Sequence, residues 1–230
     1  IGARPVNLHI KGLESMGATI QVESGYVKAK APHGLRGAEI ILEIASVGAT
    51  ENLIMAAVLA KGKTIIHNAA AEPEILDLIT CLVRMGAKID FLGTSVVEID
   101  GVDKLEPVSH RIIGDRIEAG TFLIAGAALG GKIDVQGFDP NHLSTVLEIL
   151  RLSGAILKFS KSGVELEMVR SRPEPVDFET GVYPGFPTDM QAQYLVLNSV
   201  ATGKSIIQER IFENRFLHVQ ELSRLGANIE

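Results

Sequence analysis

Two kinds of hydrophobic pattern alternate along the chain and recur at a nearly constant spacing. Stretches with apolar residues three or four positions apart, typical of helices on a core, end at a Gly and lead into short runs in which apolar and polar residues alternate, typical of strands. A period of about 70 residues between such helix ends predicts one structural unit copied along the chain. The closing glycines, spaced 69, 68 and 72 residues apart, are Gly17, Gly86, Gly154 and Gly226.

A second family of segments has the same period and lies earlier within each copy. Helices rich in Ala and Leu, each followed by a β-branched strand, are predicted within 49–66, 119–135 and 190–207. We call these helices first-type and the helices that end at the closing glycines second-type. Because the first-type helices are apolar on most faces, they should be buried all round. The glycines at the equivalent position of the three copies are Gly62, Gly131 and Gly203.

The order of elements in each copy is helix, strand, helix, strand, strand. We therefore predict an α/β fold of two lobes, 1–113 and 114–230, built from repeated βαβαββ units whose buried helices are wrapped by three sheets. The pattern starts and stops in the middle of a unit, so the fold is expected to be incomplete at both ends and the chain to be a piece of a longer polypeptide.

Composition narrows the class of protein. Apolar residues make up 46% and charged residues 22% of 230, which excludes a disordered or collagenous chain. The net charge of −6 with scattered Lys and Arg argues against a nucleic-acid partner, and no apolar run is long enough to cross a membrane. One cysteine, Cys81, permits no internal disulfide, which fits a reducing cytoplasm; its apolar helix predicts that it is buried as a small hydrophobic residue.

Candidate binding chemistry lies where the first-type helices begin. The aligned positions, sixteen residues before the equivalent glycines, are Ser46, Asp115 and Pro187. A helix N-terminus has unpaired N–H donors and the positive end of the helix dipole, and so attracts anions. Ser46 could cap its helix, and Thr188 with Gln191 fits a capping box. Each position taken alone is more often a helix cap than a ligand site.

Candidate catalytic and cationic side chains are few. Asp189 lies in the first turn of its predicted helix, where a carboxylate either stabilises the helix start or accepts a proton from a substrate hydroxyl. Arg4, beside the rigid Pro5, could bind a phosphate or stack on a heterocycle, or could belong to an ordinary solvated lead-in to a helix. Arginines that could instead form surface or interlobe ion pairs are Arg111, Arg116 and Arg215.

Two other kinds of site are rejected. Residues 126–132 match G-x-x-x-x-G-K, but the predicted order is helix then strand, opposite to a phosphate-binding loop, and Ile133 replaces the hydroxyl that would bind magnesium. The six histidines never occur at metal-binding spacing with a second ligand, so we expect no metal site.

Five motifs together carry a family resemblance that extends in order over the whole chain. They resemble the UDP-N-acetylglucosamine 1-carboxyvinyltransferase family, the enolpyruvyl transferases of bacterial peptidoglycan synthesis. The motifs are RP at 4–5, SVGAT at 46–50, DRIEAGT at 115–121, FPTDMQAQ at 186–193 and FENR at 212–215.

The resemblance implies a fold and an activity. The fold is that of two-lobed enolpyruvyl transferases, with 1–113 as part of the catalytic lobe and 114–230 as part of the second lobe. The reaction moves the enolpyruvyl group of phosphoenolpyruvate to the 3-hydroxyl of UDP-N-acetylglucosamine and releases phosphate. This first committed step of peptidoglycan synthesis takes place in the cytoplasm and serves cell wall biogenesis, cell shape and cell division.

The resemblance also implies partners and site residues. The partners are two small-molecule substrates, phosphoenolpyruvate being a co-substrate, with no cofactor, nucleic acid or membrane; the oligomeric state is left open. Asp189 takes the proton of the 3-hydroxyl. The residues implied to bind UDP-N-acetylglucosamine are Arg4, Pro5, Val6, Asn7 and Leu8 at the uridine, Ser46, Val47 and Gly48 at the diphosphate, and Ile211 and Phe212 at the sugar.

The chain departs from the family at two positions and lacks several of its groups. Asn7 stands where many members have Asp; Asn keeps a hydrogen-bonding oxygen but has no charge. Ile44 stands where some members have a basic residue near the diphosphate, so one ionic contact is not expected here. The family's mobile loop with its general acid would end just before Ile1, and the amino-terminal Lys-Asn pair and the carboxy-terminal arginines that bind phosphoenolpyruvate also fall outside. We therefore expect these 230 residues alone to be inactive.

Two alternatives stay open from the sequence. The shikimate-pathway enolpyruvyl transferase has a similar fold and chemistry, but its acceptor carries one phosphate and no uridine. A noncatalytic repeat module could instead bind a nucleotide sugar, or a protein through unpaired sheet edges.

Overall fold

The computed structural model describes residues 6–91 and 95–230 and divides the chain into two units, Ile1–Ile112 (unit 1) and Ile113–Glu230 (unit 2). The division lies one residue before the boundary expected from the sequence. That these units are the two lobes of an enzyme stays a prediction. Within the described residues, no helix is both long and apolar enough to cross a membrane.

Unit 1 alternates helices with short strands. Its helices are α1 (Asn7–Ser15), α2 (Val47–Ala57) and α3 (Pro73–Arg84). Its strands are β1 (Thr19–Glu23), β2 (Tyr26–Lys30), β3 (Glu39–Ile41), β4 (Lys63–His67), β5 (Lys88–Phe91) and β6 (Val96–Asp100). Strands β1 and β2 form an antiparallel hairpin, and the other four form a sheet in the order β3-β4-β6-β5 in which only β3 and β4 are parallel.

Unit 2 repeats this arrangement with short 3-10 turns inserted. Its helices are α4 (Arg116–Ala128), α5 (Ser144–Leu152), α6 (Gln191–Ser199) and α7 (Leu217–Arg224), and its 3-10 turns span Pro140–Leu143 and Thr188–Met190. Its strands are β7 (Lys132–Gln136), β8 (Ile156–Ser160), β9 (Gly163–Glu167), β10 (Phe178–Glu179) and β11 (Ile207–Gln208). The antiparallel sheet has the order β7-β9-β8, and β10 pairs in parallel with β11.

The predicted repeat is confirmed as a repeat of strand pairing. In unit 1, β3-α2-β4-α3-β5-β6 is a complete βαβαββ unit. In unit 2, the order β7-β9-β8 corresponds strand for strand to β4-β6-β5, and the parallel pair β10 and β11 flanks α6 as β3 and β4 flank α2. The sequence period therefore reflects one set of hydrogen-bonded partners built repeatedly.

All four second-type helices end in the same hydrogen-bonded motif. At the end of α1, the Gly17 N–H donates to the Glu14 carbonyl (2.9 Å) and the Ala18 N–H donates to the Leu13 carbonyl (3.0 Å). This is the Schellman arrangement, which needs a left-handed residue at the position after the C-cap. Gly is favoured there because it has no Cβ to clash. The φ angles are +93° at Gly17, +100° at Gly86, +98° at Gly154 and +98° at Gly226.

Helix α2, the first-type helix of unit 1, is buried on one side and exposed on the other. In α2, Leu53 and Ile54 are fully buried, but Met55 is 47% and Leu59, just beyond the helix, is 55% exposed. The helix packs against α1, α3, β4 and β6. Each unit holds two sheets within the described residues. The expectation that α2 is buried all round is wrong for the side that bears Met55 and Leu59.

The G-x-x-x-x-G-K match lies in a helix followed by a strand, as expected. Gly126 lies inside α4 and Lys132 begins β7. A Cβ on Gly126 would lie 2.7 Å from Cγ2 of Ile133, so this Gly allows close packing of α4 on β7. Cys81, in α3, is only partly buried.

Candidate functional site

The N-terminus of α2 is an open helix start capped by Ser46. The Ser46 Oγ accepts a hydrogen bond from the Ala49 N–H (3.4 Å), which confirms the predicted cap. The N–H groups of Val47 and Gly48 lie in the first turn, where a helix supplies no acceptor of its own. Because Gly48 is exposed and has no side chain, its backbone can be approached closely by a ligand.

Helix α1 begins beside this site. A Cβ on Gly48 would lie 3.6 Å from Cε1 of His9, and the Asn52 side-chain nitrogen lies 2.8 Å from Nδ1 of His9. Further along, a Cβ on Gly12 would lie 2.5 Å from Cδ2 of Leu53, so a larger residue there would force the buried Leu53 side chain or α1 to shift.

The contacts between α1 and α2 place two sets of predicted binding residues together. Val6 is the N-cap of α1, and Asn7 and Leu8 are in its first turn, next to the first turn of α2. Arg4 and Pro5 lie outside the described residues. The residues that fix this arrangement, His9 and Asn52, were not singled out from the sequence, because their pairing spans 43 residues and follows no local pattern.

A groove of about 420 Å³ runs between α1 and β3 in the same unit. Lys11 and Glu43 form an ion pair across it (2.6 Å). Of the described residues that were predicted to bind substrate, only Leu8 lines this groove. The other lining residues are Gly12, Glu14, Ser15, Glu39, Ile40, Ile41 and Leu42.

In unit 2, Asp189 lies on the 3-10 turn that leads into α6. Its side chain is 62% exposed, and its Oδ1 accepts a hydrogen bond from Nη2 of Arg215 (2.6 Å). The Arg215 guanidinium also lies over the ring of Phe212, 5.2 Å from its centroid. Arg215 thus forms a surface ion pair within unit 2, one of the alternatives considered from the sequence, and its partner is the predicted base.

The predicted capping box at Thr188 and Gln191 is wrong. The Thr188 hydroxyl donates to Oε2 of Glu209 (2.8 Å) and caps no helix N–H. Gln191 is fully buried, and its side-chain nitrogen and oxygen have no hydrogen-bond partner within the described residues. The 3-10 turn moves the start of α6 to Gln191, so Thr188 is too far from the α-helical turn to cap it.

Glu209 joins the segments on either side of Asp189. Its Oε1 accepts hydrogen bonds from the Thr180 hydroxyl (2.8 Å), the Ile211 N–H (2.8 Å) and the Phe212 N–H (3.1 Å). Burial alone would raise the pKa of Glu209, but these bonds, with the bond from Thr188, together lower it below its ordinary value. Sequence reasoning missed Glu209; its only signal is its place directly after a short apolar strand and before Ile211.

At the third aligned helix start, the N-terminus of α4, the first-turn N–H groups are bound by the chain's own capping residue. Asp115 caps α4 and accepts hydrogen bonds from the N–H groups of Ile117 (2.8 Å) and Glu118 (3.1 Å), which confirms it as a helix-start residue. Arg116 is buried, with its guanidinium 5.4 Å from the centroid of the Tyr183 ring. The structure thus groups Val6 to Leu8 with Ser46 to Gly48 in unit 1, and Asp189 with Ile211 and Phe212 in unit 2.

Comparison with known proteins gives one family. A sequence model described as EPSP synthase (3-phosphoshikimate 1-carboxyvinyltransferase) matches residues 1–230. The UDP-N-acetylglucosamine 1-carboxyvinyltransferases of Shewanella pealeana and Shewanella woodyi are 54% and 55% identical to the chain over 230 residues. These residues are 100% of the chain and 55% of each relative, so the chain spans about half the length of these curated proteins.

A solved structure shows the same fold. The enolpyruvyl transferase NikO from Streptomyces tendae superposes with a TM-score of 0.86 at 24% sequence identity. The match covers 97% of the chain and 55% of NikO. At this identity the likeness supports the fold alone.

Proposed function

Because the chain belongs to the EPSP synthase (3-phosphoshikimate 1-carboxyvinyltransferase) family of enolpyruvyl transferases, we propose that it forms part of a UDP-N-acetylglucosamine 1-carboxyvinyltransferase. The reaction transfers the enolpyruvyl group of phosphoenolpyruvate to the 3-hydroxyl of UDP-N-acetylglucosamine. The sugar oxygen adds to the phosphate-bearing carbon of the double bond while the neighbouring CH2 carbon gains a proton. The tetrahedral adduct then loses phosphate and a proton from that carbon, which restores the double bond. The observation that carries the proposal is the identity of about 54% with enzymes of that name along the whole chain.

Asp189 is proposed as the base that removes the proton of the 3-hydroxyl. The carboxylate is exposed to a substrate, and Arg215 contacts only Oδ1, so Oδ2 has no hydrogen bond within the described residues. A fixed cation on one oxygen orients the carboxylate while the other oxygen is free to meet the hydroxyl. General-base catalysis of this kind contributes roughly 10²- to 10⁴-fold to a rate.

The N-terminus of α2 is proposed to bind the diphosphate through Ser46, Val47 and Gly48. The first-turn N–H groups and the helix dipole favour an anion, and the exposed Gly48 lets a phosphate approach the backbone. The adjacent start of α1 would hold the uridine through Arg4 to Leu8. Ile211 and Phe212 would line the sugar site through backbone and packing contacts. Because Glu209 already binds their N–H groups, the backbone contacts would use their carbonyls.

The proposed cellular role follows from this reaction. The enzyme would act in the cytoplasm, in the first committed step of peptidoglycan synthesis, and so support cell wall biogenesis, cell shape and cell division. Its ligands would be the two small-molecule substrates, without a cofactor. These 230 residues are expected to bind the UDP-sugar but not to turn it over alone.

Titration calorimetry tests the substrate. The chain should give a saturable binding isotherm with UDP-N-acetylglucosamine and none with shikimate 3-phosphate at the same concentrations. Binding of shikimate 3-phosphate alone would contradict the proposal and favour the shikimate-pathway reaction. Tight binding of a protein, with no response to the UDP-sugar, would favour the noncatalytic module.

A further inference from the structure

Glu209 lies at the carboxyl end of β11 and binds three separate segments of unit 2. Its donors are the hydroxyls of Thr180 and Thr188 and the N–H groups of Ile211 and Phe212. Thr180 follows β10, the parallel partner of β11. Its Oγ1 accepts a hydrogen bond from the Arg210 N–H (2.8 Å). One carboxylate therefore sets the positions of the end of β10, the turn before α6 and the segment after β11.

All four donors to this carboxylate are neutral. Within the described part of the chain, no Lys, Arg or His forms an ion pair with Glu209. The charge is instead stabilised by directional hydrogen bonds, whose geometry fixes the donors more tightly than a single flexible ion pair would. The lowered pKa of Glu209 is consistent with this binding of the charged form.

The segments held by Glu209 carry the two groups of the candidate site. Thr188 immediately precedes Asp189, and Phe212 is three residues before Arg215 and packs against its guanidinium. The contact between Asp189 and Arg215 is 2.6 Å, so it depends on both segments being held in place. Errors of about 1 Å in the position of a catalytic group can lower a rate about 100-fold.

We propose that Glu209 is a positioning residue for the enolpyruvyl transfer proposed above, acting through the Thr188 hydroxyl to hold Asp189 at its working position. In this role Glu209 acts on the protein's own segments and not on the substrate. Its bonds to Ile211 and Phe212 hold the opposite side of the site, and its bond to Thr188 holds the base. The inference rests on the proposed function, because it assigns the role within that reaction.

The test removes the Thr188 hydroxyl while keeping the shape of the side chain. In the full-length polypeptide that carries this chain, Thr188→Val should lower kcat about 10- to 100-fold with little change in KM for the UDP-sugar. Thr188→Ser keeps the hydroxyl and should restore most of kcat. Thr145→Val is the matched control, since the Thr145 hydroxyl donates to the Pro184 carbonyl, four residues before Thr188, and not to Glu209; its loss should leave kcat unchanged.

A spectroscopic readout on the chain itself accompanies the kinetics. The amide resonances of Ile211 and Phe212 should report protonation of Glu209, with a midpoint below the ordinary value of 4.5 that rises in Thr188→Val but not in Thr145→Val. A midpoint unchanged by Thr188→Val would overturn the inference.

The kinetic outcomes separate this inference from the function on which it rests. If the unsubstituted polypeptide releases no phosphate from the two substrates, the proposed function fails and the inference fails with it. If it is active and Thr188→Val has the same kcat as Thr145→Val, only the inference is overturned. Loss of kcat in the Val variant with recovery in the Ser variant supports both.

Discussion

The N-termini of α2 and α6 occupy the same place in the repeat but present different chemistry. At α2, Ser46 caps the helix, and the first-turn N–H groups of Val47 and Gly48 have no acceptor within the helix. At α6, a 3-10 turn precedes the helix, the hydroxyl of Thr188 turns to Glu209, and Asp189 is left exposed beside Arg215. One backbone scaffold thus yields a positive site suited to an anion and a carboxylate suited to a proton.

The N-terminus of α4, the remaining first-type helix, shows what prevents an anion-binding helix start. At α4 the capping residue is Asp115, whose carboxylate accepts two N–H groups of its own helix. The positive end of the helix is then neutralised by the chain itself. Comparison of the three helix starts indicates that the capping side chain decides whether this position of the repeat remains available to a ligand.

The largest effect is expected at Asp189. In the full-length polypeptide, Asp189→Asn removes the base and should lower turnover roughly 10²- to 10⁴-fold while the UDP-sugar still binds. Asp115→Asn is the matched control, because Asn caps a helix as well as Asp does and should leave turnover unchanged. Steady-state kinetics of both variants measure this, and equal turnover in the two would contradict the role of Asp189.

The next largest effect is expected on stability, from the packing of α1 on α2. Gly12→Val places a side chain where even a Cβ lies 2.5 Å from Leu53, and should reduce the free energy of unfolding by about 1–3 kcal/mol. Ser15→Val, on an exposed position of the same helix, should change it by much less. Urea denaturation gives both values. An unchanged free energy of unfolding in Gly12→Val would show that α1 does not pack on α2 as described.

A smaller loss is expected from the cap of α2. Ser46→Ala removes the acceptor for the Ala49 N–H and should cost about 1 kcal/mol of stability. Ser46→Asp should keep the stability but weaken UDP-sugar binding, because it gives α2 the closed, acidic start that Asp115 gives α4. Denaturation and calorimetry on the same samples separate the two effects. Undiminished binding by Ser46→Asp would break the comparison between α2 and α4.

The smallest expected effect is on the pH dependence of stability. Because the pKa of Glu209 is lower in the folded protein, its stabilising contribution is present above the ordinary value of 4.5 and is lost as the pH falls through the folded value. Glu209→Gln cannot ionise and should therefore be less stable than the unsubstituted chain at pH 6 to 7, with the difference shrinking toward pH 3. Denaturation curves across this range would contradict the assignment if the difference stayed constant.

Much of the fold follows from local rules, and those parts were predicted. The four closing glycines mark helix ends because a left-handed residue and two backbone hydrogen bonds complete each helix there. Ser46 and Asp115 were identified as helix starts for the same reason. These features depend on residues within a few positions of one another, so the sequence pattern carries them.

The rest depends on partners far apart in the chain. Thr188 was expected to cap α6 by accepting an N–H, but α6 begins only at Gln191 and the Thr188 hydroxyl donates to Glu209, 21 residues away. Met55 and Leu59 were expected to be buried because their segment is apolar on most faces, yet burial depends on which elements surround a helix. Sequence periodicity specifies a helix and its apolar faces but does not specify its neighbours.

The most direct test of the account is a titration of the isotope-labelled chain with UDP-N-acetylglucosamine, followed by the amide resonances of the helix starts. The account predicts saturable shifts at Val47 and Gly48, which are open to an anion, and none at Ile117 and Glu118, whose N–H groups are bound by Asp115. Absence of shifts at Val47 and Gly48, or equal shifts at both helix starts, would contradict it.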